Sequence, residues 1–326
     1  MSREKENTGL SESTSPFQTF TLTIPSKLIL FGEHTLFVGA PAVSAALSFG
    51  SEGIIHVANT RGPSKITITR KQKTENSDVP HDLHRLHPGI TIQFFSDVRV
   101  ACGLGTSAML ALSAAAAEEA RRFLIRGGAR KKVFGLTEKA YSRINKKAFA
   151  MEEKLSVNVS GVDHATILKG GMMSYRLGGI KPEIVKIETS FFKEHVIILW
   201  ESALPKSCPL FLEMSKGRPE WKETQGKLGQ ITARALKELS KEAPSLQRIY
   251  QLLREDQHLL FRSGLSSEEA ETEIAEMRKL GVEAKIASEG TGGYVFTIVP
   301  RSFPLRPRWF PCEINKTGLV LRHKTS

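Results

Sequence analysis

The hydrophobic and polar positions divide the chain into an N-terminal part that reads mostly as strand and a C-terminal part that reads mostly as helix. Thr19 to Ile24 alternates β-branched and aromatic residues with polar ones, and Lys27 to Phe31 is apolar after its lysine. These runs predict two strands flanking a turn at Pro25-Ser26. Ser51 to Thr69 predicts two more, broken at Arg61-Gly62-Pro63, and Ile90 to Val100 another. The polar stretch 70–90, with Pro80 and Pro88, predicts a surface loop. From about Ser107 the residues are apolar on every side, which predicts a helix buried inside a domain. Leu136 to Lys154 predicts the next helix and Met172 to Tyr175 a strand.

After a strand at His195 to Trp200, apolar residues at 228, 231, 235 and 239, then at 246, 249, 253 and 260, follow helical spacing. Ser266 with Glu269 reads as a capping box opening a helix that reaches Leu280. Strand Val282 to Ile286, a glycine turn at 290–293 and strand Tyr294 to Val299 read as a hairpin. There is no internal repeat. The pattern predicts a disordered polar tail over residues 1–19 and two α+β domains, 20–190 and 191–326.

Composition narrows the function classes. The longest apolar run, Met109 to Ala117, falls far short of the roughly 20 residues a membrane helix needs, so no membrane partner is expected. A net charge of +12 favours anionic partners without separating nucleotides from nucleic acid. The densest basic cluster, Arg121-Arg122, Arg126 and Arg130-Lys131-Lys132, has no interleaved aromatics to stack bases. It reads as a solvated helix end, and no nucleic-acid partner is expected. Cys102, Cys208 and Cys312 form no CxxC and leave an odd count, which suits reduced thiols in the cytoplasm. His81, His84 and His87 lie between Pro80 and Pro88 and read as a polar loop rather than a metal site.

The candidate chemistry lies at three places. Gly103-Leu104-Gly105-Thr106-Ser107-Ala108 joins a strand to the buried helix. Glycines there let backbone N–H groups close around phosphate oxygens, and the helix N-terminus adds partial positive charge. A loose GxGxxA match raises a dinucleotide fold, but the acidic residue that fold needs about 20 positions further on is missing from a second strand. The GxxxxGK[ST] loop is absent too. The bland alternative is a helix cap on a tight turn. Lys27 interrupts an apolar strand; it either meets an anion or snorkels to water from a sheet edge. Glu33 and His34 follow Gly32 and either line a polar pocket or form an ordinary turn. Asp163 follows Gly161, and Glu152 ends the preceding helix. Two carboxylates and a phosphate-cradling loop are the parts of a small-molecule kinase, although Asp163 alone also suits a helix-capping role.

Four segments together carry a family resemblance: Pro25 to His34, the GLGTSA run Gly103 to Ala108, Ile144 through Asp163 with Gly170-Gly171, and Lys285 to Gly293. The chain resembles the GHMP superfamily (galactokinase, homoserine kinase, mevalonate kinase and phosphomevalonate kinase), and most of all its mevalonate kinase branch. The resemblance implies a two-domain α+β fold with a ribosomal-protein-S5-like N-terminal domain and a ferredoxin-like C-terminal domain. It implies ATP- and Mg²⁺-dependent phosphorylation of mevalonate at its C5 hydroxyl, on the route to isoprenoids and sterols. Asp163 and Lys27 would be catalytic. Gly103, Leu104, Gly105, Thr106, Ser107 and Ala108, with Gly290, Gly292 and Gly293, would hold ATP. Ser107 and Glu152 would ligate Mg²⁺, and Glu33 and His34 would lie beside mevalonate. Family members are often homodimers.

Galactokinase is the nearest rival, since Thr35 follows the GEH motif. Leu36 replaces its sugar-binding aspartate, however, and Lys27 stands where those enzymes usually carry arginine. The chain departs from the family at Ser26 (usually glycine), at Val159 (usually proline) and at Ser288-Glu289 in the third motif. Glu289 would approach the phosphates. That leaves open a GHMP-fold binding or regulatory protein without catalysis, and a kinase acting on another small alcohol.

Overall fold

Two sheets organise the chain. The computed structural model describes residues 17–58, 65–70, 73–77, 88–98, 103–127, 135–154, 159–202, 220–287 and 293–324. Arg61-Gly62-Pro63, Pro80, His81, His84, His87, Cys102, Arg130-Lys131-Lys132, Cys208, Ser288, Glu289, Gly290 and Gly292 lie outside them.

The larger sheet holds β1 (Phe17–Phe31), β2 (Ala42–Ala58), β3 (Lys65–Arg70), β4 (Lys73–Ser77), β5 (Ile90–Ser96), β6 (Met172–Arg176), β7 (Glu183–Lys186) and β12 (Val320–Lys324). Its order is β12-β1-β2-β5-β3-β4, with β6 beside β2 and β7 beside β6. The two strands expected around Pro25-Ser26 are one. Proline cannot donate to a ladder, and the sheet absorbs it as a bulge: the register steps from Pro25↔Gly50 to Ser26↔Leu47. The Ser26 hydroxyl donates to the Phe49 carbonyl within that bulge. Part of the expected loop at 70–90 is the short strand β4.

Helix α1 (Thr106–Ile125) lies against this sheet and packs on α2 (Glu138–Glu152) and α3 (Val162–Lys169). Its alanines bring backbones close, and Met109, Leu112 and Ala116 share a core with Phe20, Leu22, Ile24, Ile55 and Ile92. Thr137 caps α2 by accepting from the Ala140 N–H at 3.3 Å.

After the single turn α4 (Phe191–Glu194), a smaller antiparallel sheet contains β8 (His195–Glu201), β9 (Ala284–Ile286), β10 (Tyr294–Pro300) and β11 (Trp309–Cys312), in the order β11-β8-β10-β9. Helices α5 (Trp221–Leu239), α6 (Leu246–Arg262) and α7 (Glu268–Arg278) bury their apolar faces with it. The α7 cap is Ser267, which accepts from the Ala270 N–H at 3.2 Å. Ser266, the expected cap, accepts instead from the Gln257 side chain.

The cores beneath the two sheets run together: Leu28, Leu30 and Phe31 of β1 join Leu252, Ile274 and Phe296 in one cluster. The chain also crosses back. Strand β12 pairs with β1, Leu321 opposite Leu22, so the C-terminal segment belongs to the first sheet rather than to the domain expected at 191–326. Leu319 and Leu321 supply the reason, because both fill the core under α1. Among the described residues, no helix is long and apolar enough to cross a membrane.

Candidate active site

Strand β1 presents Lys27 to the glycine loop. The Lys27 N–H donates to the Leu104 carbonyl at 3.1 Å, which ties loop to strand. Gly105 has φ +78°, and a Cβ there would stand 2.7 Å from Lys27 Cγ. Only glycine meets both demands. Leu104 and Ala108 are buried, so these two positions could offer a ligand backbone rather than side chain; Thr106 is buried as well. The Ser107 residue is exposed at the start of α1. That helix has no side-chain cap and no acidic residue in its first turn, an arrangement suited to an anion.

Lys27 reaches Asp163, with 3.0 Å between Nζ and Oδ1. The lysine side chain is 5% exposed and the aspartate 24%, so the carboxylate is the solvent-facing partner. Asp163 sits in the first turn of α3, where the helix dipole favours negative charge. The entry to that helix is fixed from several sides. Gly161 adopts φ +81° beneath Tyr175 and Phe149. The Tyr175 hydroxyl donates to the Ser160 carbonyl at 2.7 Å, and the hydroxyls of Thr166 and Ser44 are 2.7 Å apart.

The second carboxylate lies close by. Ser107 Oγ donates to Glu152 Oε1, and Glu152 Oε2 is 3.2 Å from His164 Nε2. His164 immediately follows Asp163 and is fully buried. Burial holds its imidazole below the ordinary value, against opposing contributions from Asp163 and the Ala148 carbonyl. The contacts close a ring: Lys27, Asp163, His164, Glu152, Ser107, and back through Gly105. A hydroxyl and a carboxylate are hard oxygen donors that suit Mg²⁺, which commonly takes one or two protein ligands and leaves the rest to phosphates and water. The described residues include no group of three His, Cys, Asp or Glu that could hold a metal ion.

Glu33 is buried. Its carboxylate is 2% exposed and pairs with Lys285 of β9, which is also 3.1 Å from Asp256 Oδ1 of α6. A fully buried lysine needs counter-charge, and Glu33 supplies it. Burial and the nearby Glu33 push the Asp256 carboxyl up to about 7. Burial works against the charge on Lys285, but Asp256 and Glu33 more than offset it and leave its value raised. Sequence reasoning missed this triad, although a lysine between apolar neighbours at 285 and an acid on the inner face of α6 were its signals.

His34 is half-buried, with φ +66° and its ring 5.4 Å from that of Trp221. Its carbonyl accepts from the Gln225 side chain at 2.7 Å. The turn beneath is tight: a Cβ on Gly32 would stand 2.6 Å from the Pro41 carbonyl oxygen, and the Thr35 hydroxyl spans the Gly32 and Pro41 carbonyls. Gly293, at φ +116°, opens β10, and its carbonyl accepts from the Ser202 N–H.

No family model matches the chain. A mevalonate kinase of Archaeoglobus fulgidus is 26% identical over 283 residues, covering 83% of this chain and 89% of that protein. Among solved structures, the L. major mevalonate kinase in complex with R-mevalonate superposes with a TM-score of 0.67 at 20% identity, covering 91% of this chain and 96% of that one. The chain has the GHMP kinase fold and is similar over most of its length to mevalonate kinases. The GHMP fold spans several acceptors, and Lactococcus lactis galactokinase complexed with galactose also matches, with a TM-score of 0.64 at 15% identity over 94% of this chain and 95% of that one.

Proposed function

We propose that this protein transfers the terminal phosphoryl group of ATP to the C5 hydroxyl of mevalonate. The observation that carries the reading is the Lys27–Asp163 ion pair, built against the glycine loop at the start of α1. Asp163 accepts the hydroxyl proton of the acceptor as the new O–P bond forms. Lys27 pairs with that carboxylate and stabilises charge developing on the acceptor oxygen. Backbone N–H groups of 103–107 orient the phosphates. Ser107 and Glu152 would hold Mg²⁺, which when bound neutralises phosphate charge. Mevalonate is favoured as acceptor by the curated relatives, which are mevalonate kinases over most of their length.

A coupled assay of ADP release with Mg·ATP tests this. Turnover with mevalonate that disappears in Asp163→Asn supports the reading. Turnover only with another alcohol, such as galactose, reassigns the acceptor. Nucleotide binding without any turnover leaves a binding or regulatory protein, the reading that Glu289 in the third motif favours.

A further inference from the structure

We infer that His164 is a positioning residue for Glu152, so that the first turn of α3 sets both the base and the cation-side carboxylate of the proposed kinase site. The inference rests on the kinase reading and adds a residue to it. Consecutive residues of a helix project about 100° apart, so one turn can serve two partners. Asp163 pairs with Lys27, and His164 Nε2 lies 3.2 Å from Glu152 Oε2, close enough for charge to act but not aligned as a hydrogen bond.

Three features suit His164 to this work. It has no exposed surface, and the Phe149 ring of α2 lies 5.8 Å from its own ring, so it has little freedom to swing. It sits on the opposite side of the carboxylate from Ser107: one Glu152 oxygen takes the serine hydroxyl and the other faces the imidazole. Glu152 is itself only 6% exposed, so its orientation depends on such neighbours rather than on water. Groups behind a metal-binding carboxylate fix its orientation, and losing one typically costs 10- to 100-fold in metal affinity or activity. The helix that carries His164 is anchored in turn through Thr166 to Ser44, and its entry through Tyr175 to Ser160.

The test measures equilibrium binding of ATP with and without Mg²⁺ by calorimetry, in wild type, His164→Leu, His164→Asn and His164→Gln, with thermal unfolding as the check on folding. Leucine fills the space without a polar group, asparagine is too short to reach, and glutamine can reach. The expected result is about a tenfold loss of Mg·ATP affinity in His164→Leu and His164→Asn, with affinity for metal-free ATP unchanged and most of the loss restored in His164→Gln. Either folded variant, leucine or asparagine, binding Mg·ATP like wild type would overturn the inference. So would an equal loss for metal-free ATP, which marks general damage to the loop. Wild type that binds Mg·ATP but does not phosphorylate mevalonate sinks the acceptor assignment and leaves this inference standing. Failure of wild type to bind Mg·ATP sinks both.

Discussion

At the scale of single residues, the proposed site is built on one lysine and one aspartate, paired at 3.0 Å. Asp163→Asn keeps the shape but cannot take a proton; turnover should fall by roughly 10²- to 10⁴-fold while nucleotide binding, read by calorimetry, stays near wild type. Lys27→Met should lower turnover by about 10²- to 10³-fold through loss of charge stabilisation, with the acceptor KM changing less than kcat. Both residues were visible in the sequence because their types clash with their surroundings: an ammonium in an apolar strand, and an acid just after a glycine. Glu33 was visible for the same kind of reason, but its partner was not. Its role depends on Lys285, 252 positions away along the chain, and nothing local indicates which buried charge answers which.

At the scale of elements, the glycine loop tolerates no side chain at 105. Gly105→Ala combines a left-handed φ with a 2.7 Å approach to Lys27 Cγ. It should destabilise the fold by about 1–3 kcal/mol in urea titrations and displace the lysine, so that activity falls further than stability predicts. The α7 cap offers a cleaner comparison. Ser267→Ala should cost about 1 kcal/mol, because it frees the Ala270 N–H. Helices α1, α5 and α6 were legible from their apolar spacing, since burial of one face or all faces writes itself into the sequence. Cap position was not, because adjacent serines at 266 and 267 present the same chemistry and only the path of the chain separates them. The continuity of β1 was hidden for a related reason: Pro25 reads as a break until Gly50, on the opposing strand, makes room for it. A Cβ at Gly50 would stand 2.5 Å from the Ile24 carbonyl oxygen.

At the scale of the whole molecule, a buried charge triad joins the two sheets. Glu33 leaves β1, Lys285 lies on β9 and Asp256 on α6, so two acids share one base in a space closed to water. Asp256 binds its proton more tightly in the folded protein than at its ordinary value of 3.8, holding it up to about 7. The contribution of that proton is complete below its ordinary value of 3.8 and declines until pH reaches about 7, because over that window the unfolded chain has released a proton the native state still holds. The raised Lys285 value acts only in the alkaline range. Urea midpoints of wild type should therefore fall between pH 5 and pH 8 relative to Asp256→Asn, whose amide does not titrate. Parallel curves for the two proteins would contradict the assignment.

The return of β12 to the edge of β1 has a consequence for biogenesis. Leu22 sits opposite Leu321, so the sheet that carries Lys27 cannot be completed until nearly all of this chain has left the ribosome. During synthesis the nascent N-terminal layer waits with an unpaired edge, a template for aggregation, and its closing contact joins residues about 300 positions apart. Stalled or prematurely terminated products would thus be more than inactive: they would be sticky, and substrates for chaperones and proteases from the outset.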